Sequence, residues 1–200
     1  MDYVNKYFFE IKKIIDQLDY KIIDRLANKI AQIRDNKGRL FILGVGGSAA
    51  NASHCVNDFR KLCDVECYAP TDNVAELTAR TNDEGWDTVF SNWIGSSNGN
   101  ENDAILIFSV GGGNLTLNIS PNIVKAIDEA KRRNMSVLGI VGRDGGYTKL
   151  NGELVLVIPP VNEERVTPHS EEFQAIIWHC LSCHPMLTKA ANKWETIKIK

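Results

Sequence analysis

Three short runs of uninterrupted apolar residues, each ending in glycine, constrain this chain more than any other feature. Arg39–Leu43 runs into Gly44, Ala104–Val110 ("AILIFSV") into Gly111-Gly112-Gly113, and Ser136–Val141 ("SVLGIV") into the glycine turn "GRDGGY". A strand with one wet face alternates apolar and polar side chains. A run without alternation has to be covered on both faces, which points to a parallel sheet between helices. Val65–Ala69 and Leu154–Ile158 read as two further strands, the second stopped by Pro159-Pro160. Helical patterns fall between them, over 49–61, 74–80, 86–93, 121–134 and 170–187, with residues 95–100 as an exposed loop. Ahead of the first strand, Ile11, Ile14, Ile15, Leu18, Ile22, Leu26, Ile30 and Ile33 recur every three or four residues, so 3–35 is expected to form one or two amphipathic helices. The 200 residues therefore read as one α/β domain, with a leading helical segment 1–37 and a core over 38–190.

Charge narrows the partners. Twenty-three basic residues against 25 acidic ones leave a net charge of −2, the wrong sign for a chain whose main partner is nucleic acid or an anionic membrane. Asp2, Lys6 and Glu10 interrupt the N-terminus, unlike a signal peptide, and no apolar run approaches the roughly 20 residues that span a bilayer. Five cysteines, an odd number, suit free thiols in a reducing compartment, so a cytoplasmic protein is expected. Cys180-x-x-Cys183-His184 has the form of a haem-attachment string, but it lies in an apolar helical stretch beside Trp178 and Leu181, where a packing role is the simpler reading.

The glycine loops carry the chemistry. Gly44-x-Gly46-x-x-Ala49, with Glu66 further on, formally matches a dinucleotide fingerprint, yet no second domain follows that could hold a hydride acceptor. The second loop, Ser109–Asn114 ("SVGGGN"), also follows an apolar strand. Two such loops at the carboxyl ends of strands in one sheet surround a single crevice, where backbone N–H groups and small hydroxyls can hold a phosphate.

Five stretches in register, "GVGGSAANASH", "NDEGWDTVF", the glycine loop after "AILIFSV", "VGRDGG" and "EEFQAIIWH", resemble the single-domain SIS (sugar isomerase) proteins, and among them the phosphoheptose isomerase family. The resemblance covers roughly residues 5–185. It implies a three-layer αβα sandwich on a parallel, flavodoxin-like sheet with a leading helix. It also implies assembly as a homotetramer (or dimer) with sites near subunit interfaces, and a divalent metal, zinc in several members. The implied reaction is the conversion of sedoheptulose 7-phosphate to a mannoheptose 7-phosphate through an enediol; isomerisation or epimerisation of another phosphosugar, or non-catalytic binding of one, are the alternatives.

Carried over residue by residue, the resemblance implies substrate contacts at Gly46, Gly47 and Ser48, at the pair Asn82-Asp83, and at Ser109, Gly111 and Asn114. The family's asparagine before Gly46 is replaced by Val45, and the hydroxyl-rich second loop keeps only Ser109. The family's His-x-x-x-Glu becomes His54 and Asp58, four residues apart and so on one helix face. Its glutamine and catalytic histidine on the last helix become Glu171 and His179, and its aspartate just before that helix becomes Pro168, with His169 next to it as a stand-in. His54, Asp58, Glu171 and His179 thus form the expected metal set. Asp58, or Glu171, and His179 are the expected acid and base, with Glu171 also facing the substrate.

Overall fold

The structure, a computed structural model, describes residues 2–197. Two amphipathic helices lead, α1 (Tyr3–Gln17) and α2 (Tyr20–Asp35), capped by Asp2 and Asp19, whose side chains accept backbone N–H bonds from Asn5 and Lys21. They are followed by β1 (Leu40–Leu43), α3 (Gly47–Cys63), β2 (Cys67–Tyr68), α4 (Val74–Asp83), α5 (Val89–Ser96), β3 (Ala104–Ser109), α6 (Pro121–Arg132), β4 (Ser136–Val141), α7 (Gly146–Asn151), β5 (Leu154–Val157), α8 (Val166–Cys183) and a final turn of helix, α9 (Lys193–Thr196). No helix among the described residues is long and apolar enough to cross a membrane.

All five strands are parallel, in the order β2-β1-β3-β4-β5. Successive side chains of each strand enter opposite layers, as the pleat requires. Leu40, Ile42, Leu106, Phe108, Leu138, Ile140, Leu154 and Leu156 join a core with α1, α2, α3 and α8. Phe41, Leu43, Ile105, Ile107, Val137 and Val141 join a second core with α5 and α6. Both faces of β1 and β3 are fully buried, so neither strand alternates in sequence.

The expected α/β sandwich is therefore present, with local differences. The second strand is only two residues long. The last helix begins at Val166, four residues early, because Pro168 falls in its first turn, where proline's missing N–H costs no bond. The turn expected at "GRDGGY" continues into α7, which two adjacent glycines and only six residues hide from a periodicity reading.

The order reverses between β1 and β3, so the loops Gly44–Ser48 and Ser109–Asn114 flank the switch point. The second loop is pinned from β4's side. Gly112 lies at φ 69°, and a Cβ there would fall 2.0 Å from the Gly145 carbonyl oxygen, whereas a Cβ at Gly111 meets nothing closer than Arg143 Cδ at 3.7 Å. Gly112→Ala should cost at least about 2 kcal/mol, combining left-handed strain with a backbone clash. Gly111→Ala should stay within about 1 kcal/mol. Urea unfolding of both variants checks this; equal losses would mean that the two loops do not interlock.

Candidate active site

Helices α3 and α8 run side by side in the same direction away from the carboxyl edge. Asn51 Nδ2 donates to the Glu171 carbonyl (2.9 Å) and to Gln174 Oε1 (3.0 Å) at the top of the seam, and Cys63 Sγ donates to the Ser182 carbonyl (3.4 Å) at the bottom. Between these points, the His54 ring packs edge-on against buried Trp178, with centroids 4.6 Å apart.

His54, Asp58 and His179 meet across this seam, each offering a donor atom within 4.8 Å of the others. His179 Nε2 lies 3.9 Å from Asp58 Oδ2, and the two imidazoles stand perpendicular with centroids 5.5 Å apart. Asp58 is nearly buried and accepts from Asn57 Nδ2 at 2.8 Å, while both histidines are exposed. His179 Nδ1 sits 2.8 Å from the Ala175 carbonyl. A carbonyl only accepts, so Nδ1 carries the proton and, in the neutral ring, Nε2 presents its lone pair to Asp58 and His54. Two nitrogens and one carboxylate oxygen, with the remaining directions open, form a donor set that suits a divalent ion with a free coordination position.

The fourth expected ligand lies elsewhere within the chain. A Cβ built at Gly47 would stand 2.5 Å from the Glu171 carboxylate, so this acid lies over the first turn of α3. The Gly46 cap offers no side-chain acceptor there, and the negative charge complements the helix's positive end. Glu171 and His179 are eight residues apart on one helix, which separates them by about 12 Å along its axis.

The other expected residues serve local structure as well. Ser48 is buried, and its hydroxyl has no partner among the described residues. Asn82 and Asp83 end α4, exposed and bonded to each other at 2.8 Å. Ser109 Oγ accepts the Gly112 N–H at 3.0 Å, and Asn114 Oδ1 accepts the Leu117 N–H at 2.8 Å. Five residues, 115–119, then bulge outward before Ser120 starts α6, but the Asn114–Ile119 bridge closes the bulge and the glycine loop packs on the first turn of that helix, a Cβ at Gly113 standing 3.1 Å from Val124 Cγ2.

His169 does not approach the cluster, which corrects its expected role as a stand-in. It is buried between α1 and α8, with Nε2 3.0 Å from Glu10 Oε2 and Nδ1 3.2 Å from Glu172 Oε2. Glu10 also receives Arg165 Nε and Nη2 (both 2.8 Å) and Asn162 Nδ2 (2.7 Å), and the Tyr7 hydroxyl donates to Glu172. Burial and the Glu172 bond push Tyr7 up to about 12. Nothing in the residue pattern points to this network, since Glu10 sits in an otherwise ordinary amphipathic helix.

A SIS domain family model matches residues 3–142. The chain belongs to the SIS-domain family. The phosphoheptose isomerase of Chlorobaculum parvum is 30% identical over 160 residues, covering 76% of this chain and 73% of that protein. The phosphoheptose isomerase of Aneurinibacillus thermoaerophilus is 27% identical over 98% of this chain and 99% of its own. Among solved structures, the phosphoheptose isomerase GmhA of Neisseria gonorrhoeae superposes with a TM-score of 0.76 at 25% identity, covering 90% of this chain and 93% of that one. These matches place this SIS-domain chain with the phosphoheptose isomerases.

The hydrogen bonds from Arg165 hold the Glu10 carboxyl well below its ordinary value, outweighing burial. A carboxyl depressed in the folded state stabilises above its unfolded pKa, and that contribution fades as pH falls through the depressed value. Glu10→Gln should therefore be less stable near neutrality and lose less of its remaining stability between about pH 5 and pH 2. Thermal melts across that range check this; parallel acid limbs in the two proteins would remove Glu10 from the balance.

Proposed function

We propose that this SIS-domain chain is an aldose–ketose isomerase of phosphosugars, with sedoheptulose 7-phosphate as the first substrate to test. The observation that carries the reading is the convergence of His54, Asp58 and His179 in a chain whose relatives are phosphoheptose isomerases. Isomerisation moves a hydrogen between C1 and C2 through an enediol, so one group removes a proton from one carbon and returns it to the other, while a second serves the oxygens. His179 Nε2, its tautomer fixed by the Ala175 carbonyl, is positioned to take the carbon proton. Asp58 holds the resulting imidazolium and is positioned to relay a proton between the two oxygens. His54, Asp58 and His179 would alternatively hold a divalent metal, zinc by the donor set; it would then occupy the His179 Nε2 lone pair in place of the proton and would supply polarisation of the carbonyl. Glu171, over the first turn of α3, would accept hydrogen bonds from sugar hydroxyls beside Gly46, Gly47 and Ser48, with Asn82 and Asp83 as further polar contacts. The phosphate goes to the second loop, at Ser109, Gly111 and Asn114; since the first loop lies about 16 Å from Asp58 along α3, farther than the sugar reaches, these contacts would serve the cluster of a neighbouring copy.

A sedoheptulose 7-phosphate assay followed by NMR, with a panel of pentose and hexose phosphates beside it, tests the reaction. His179→Asn and Asp58→Asn should each lower kcat about 10²- to 10⁴-fold. Zinc titrated into chelator-treated protein should bind with proton release, and His54→Ala should weaken it. Wild-type activity on a different phosphosugar would shift the substrate, while full activity in His179→Asn would end the mechanism.

The cluster lies down the flank of the sheet rather than at its edge. Asp58 is eleven residues beyond Gly47, about 16 Å along α3. On α8, Ile176, three residues before His179, is 50% exposed. A second copy of the chain packed on this flank would close the cluster and bring loops to it, which supports a homodimer or homotetramer. Light scattering should give a mass of two or four chains, and Ile176→Asp should lower both mass and activity. A fully active monomer would overturn the shared site. The five unbridged cysteines, three of them buried, fit a cytoplasmic setting.

A further inference from the structure

The side chains of the second glycine loop are largely committed to its own shape. Ser109 Oγ takes the Gly112 N–H, Asn114 Oδ1 takes the Leu117 N–H, and positions 110–113 carry no polar side chain. A phosphate monoester is a dianion near neutral pH, and the loop itself offers it no cation. The N–H groups of Gly111 and Gly113 have no acceptor among the described residues, but neutral amides carry no formal charge to balance a dianion.

Arg143 stands over this loop. It follows β4 across Gly142, at φ 50°, a left-handed conformation that L-residues seldom adopt. Its side chain crosses Gly111, so that a Cβ there would touch Arg143 Cδ at 3.7 Å. Arg143 lines a cavity of about 660 Å³ together with Val110, Asp144, Glu163, Glu164 and Thr167. Three carboxylates thus share the cavity, yet none comes within 4.0 Å of Arg143. Asp144 Oδ1 accepts the Gly146 N–H at 3.1 Å, and Glu164 lies 4.0 Å from Arg165. Among the described residues, Arg143 forms neither an ion pair nor a hydrogen bond, although it has five donors.

We propose that Arg143 is the phosphate-binding side chain of this site, receiving the monoester in its fork above Gly111. This rests on the phosphosugar reading above and names the group that would recognise the phosphate. Guanidinium is the side chain best shaped to grip a phosphate through two parallel bonds. The acidic wall gives the cavity a direction, because Glu163 and Glu164 repel an anion on their side but accept hydroxyl protons. The anion is thereby confined to the Arg143 end and the hydroxyl-bearing chain to the rest.

Arg143→Gly tests this without a folding penalty from the backbone, since glycine adopts the left-handed conformation freely. With the phosphosugar, KM should rise about 10- to 100-fold while kcat changes less. With the same sugar lacking its phosphate, the variant and wild type should agree within about twofold, and Arg143→Lys should fall between them. Inorganic phosphate, titrated by calorimetry, should bind the variant at least about tenfold more weakly. Unchanged KM and unchanged phosphate binding in Arg143→Gly would overturn the proposal, as would an equal loss on the unphosphorylated sugar. If the wild type turns over no phosphosugar at all, the functional reading falls, and the phosphate titration still decides for or against Arg143.

Discussion

The seam between α3 and α8 sets the positions of the chemical groups. Both helices leave the carboxyl edge of the sheet and run the same way down one face, locked at the top by Asn51 against Gln174 and at the bottom by Cys63 against Ser182. Between the locks, Trp178, Phe59, Cys55 and Ile177 are fully buried. Large and small side chains packed at this density leave little freedom to slide. Asp58 and His179 sit one step out from that packed line, close enough to the seam to be held and far enough to be open. A rigid helix pair can hold catalytic groups more exactly than a loop, because each position is fixed by the packing behind it.

The fold was legible in the sequence because burial on two faces leaves an unmistakable mark. The apolar runs at 39–43, 104–110 and 136–141 all became strands, and the switch point followed from their glycine ends. The pair His54 and Asp58 was legible for a related reason, since spacing of four fixes a shared helix face. Joining His179 to them took the resemblance to a family, because nothing in the spacing of residues 54 and 179 shows that two helices meet. What stayed hidden depends on contacts distant in sequence. Glu10 looks like any exposed acid of an amphipathic helix, and it is buried only because Arg165, Asn162 and His169 come to it from more than 150 residues away.

Two departures from the family pattern, at Glu171 and at Pro168, redistribute charge around the crevice. Glutamate at 171 places a negative charge over the first turn of α3, where the helix's unpaired N–H groups would otherwise favour an anionic ligand. With that position filled, a phosphate has less reason to bind at the first loop. Pro168 stands at the family's aspartate position, and the neighbouring His169 is the expected stand-in. It leaves the crevice for the α1–α8 junction, where the carboxylates of Glu10 and Glu172 face both of its ring nitrogens.

The second loop carries this argument to its end. Ser109 and Asn114 are the residues a reader of the sequence would choose as ligand contacts, and both use an oxygen to shape the loop. The loop needs that internal bonding because Gly112 and Gly145 press their backbones together, leaving no space for side chains that would brace it otherwise. A glycine run therefore gives close approach but little charge. Recognition of an anion at such a loop has to come from a side chain anchored outside it. The strand next in the sheet is the nearest rigid place to anchor one, and the residue at the end of that strand, after Gly142, is Arg143.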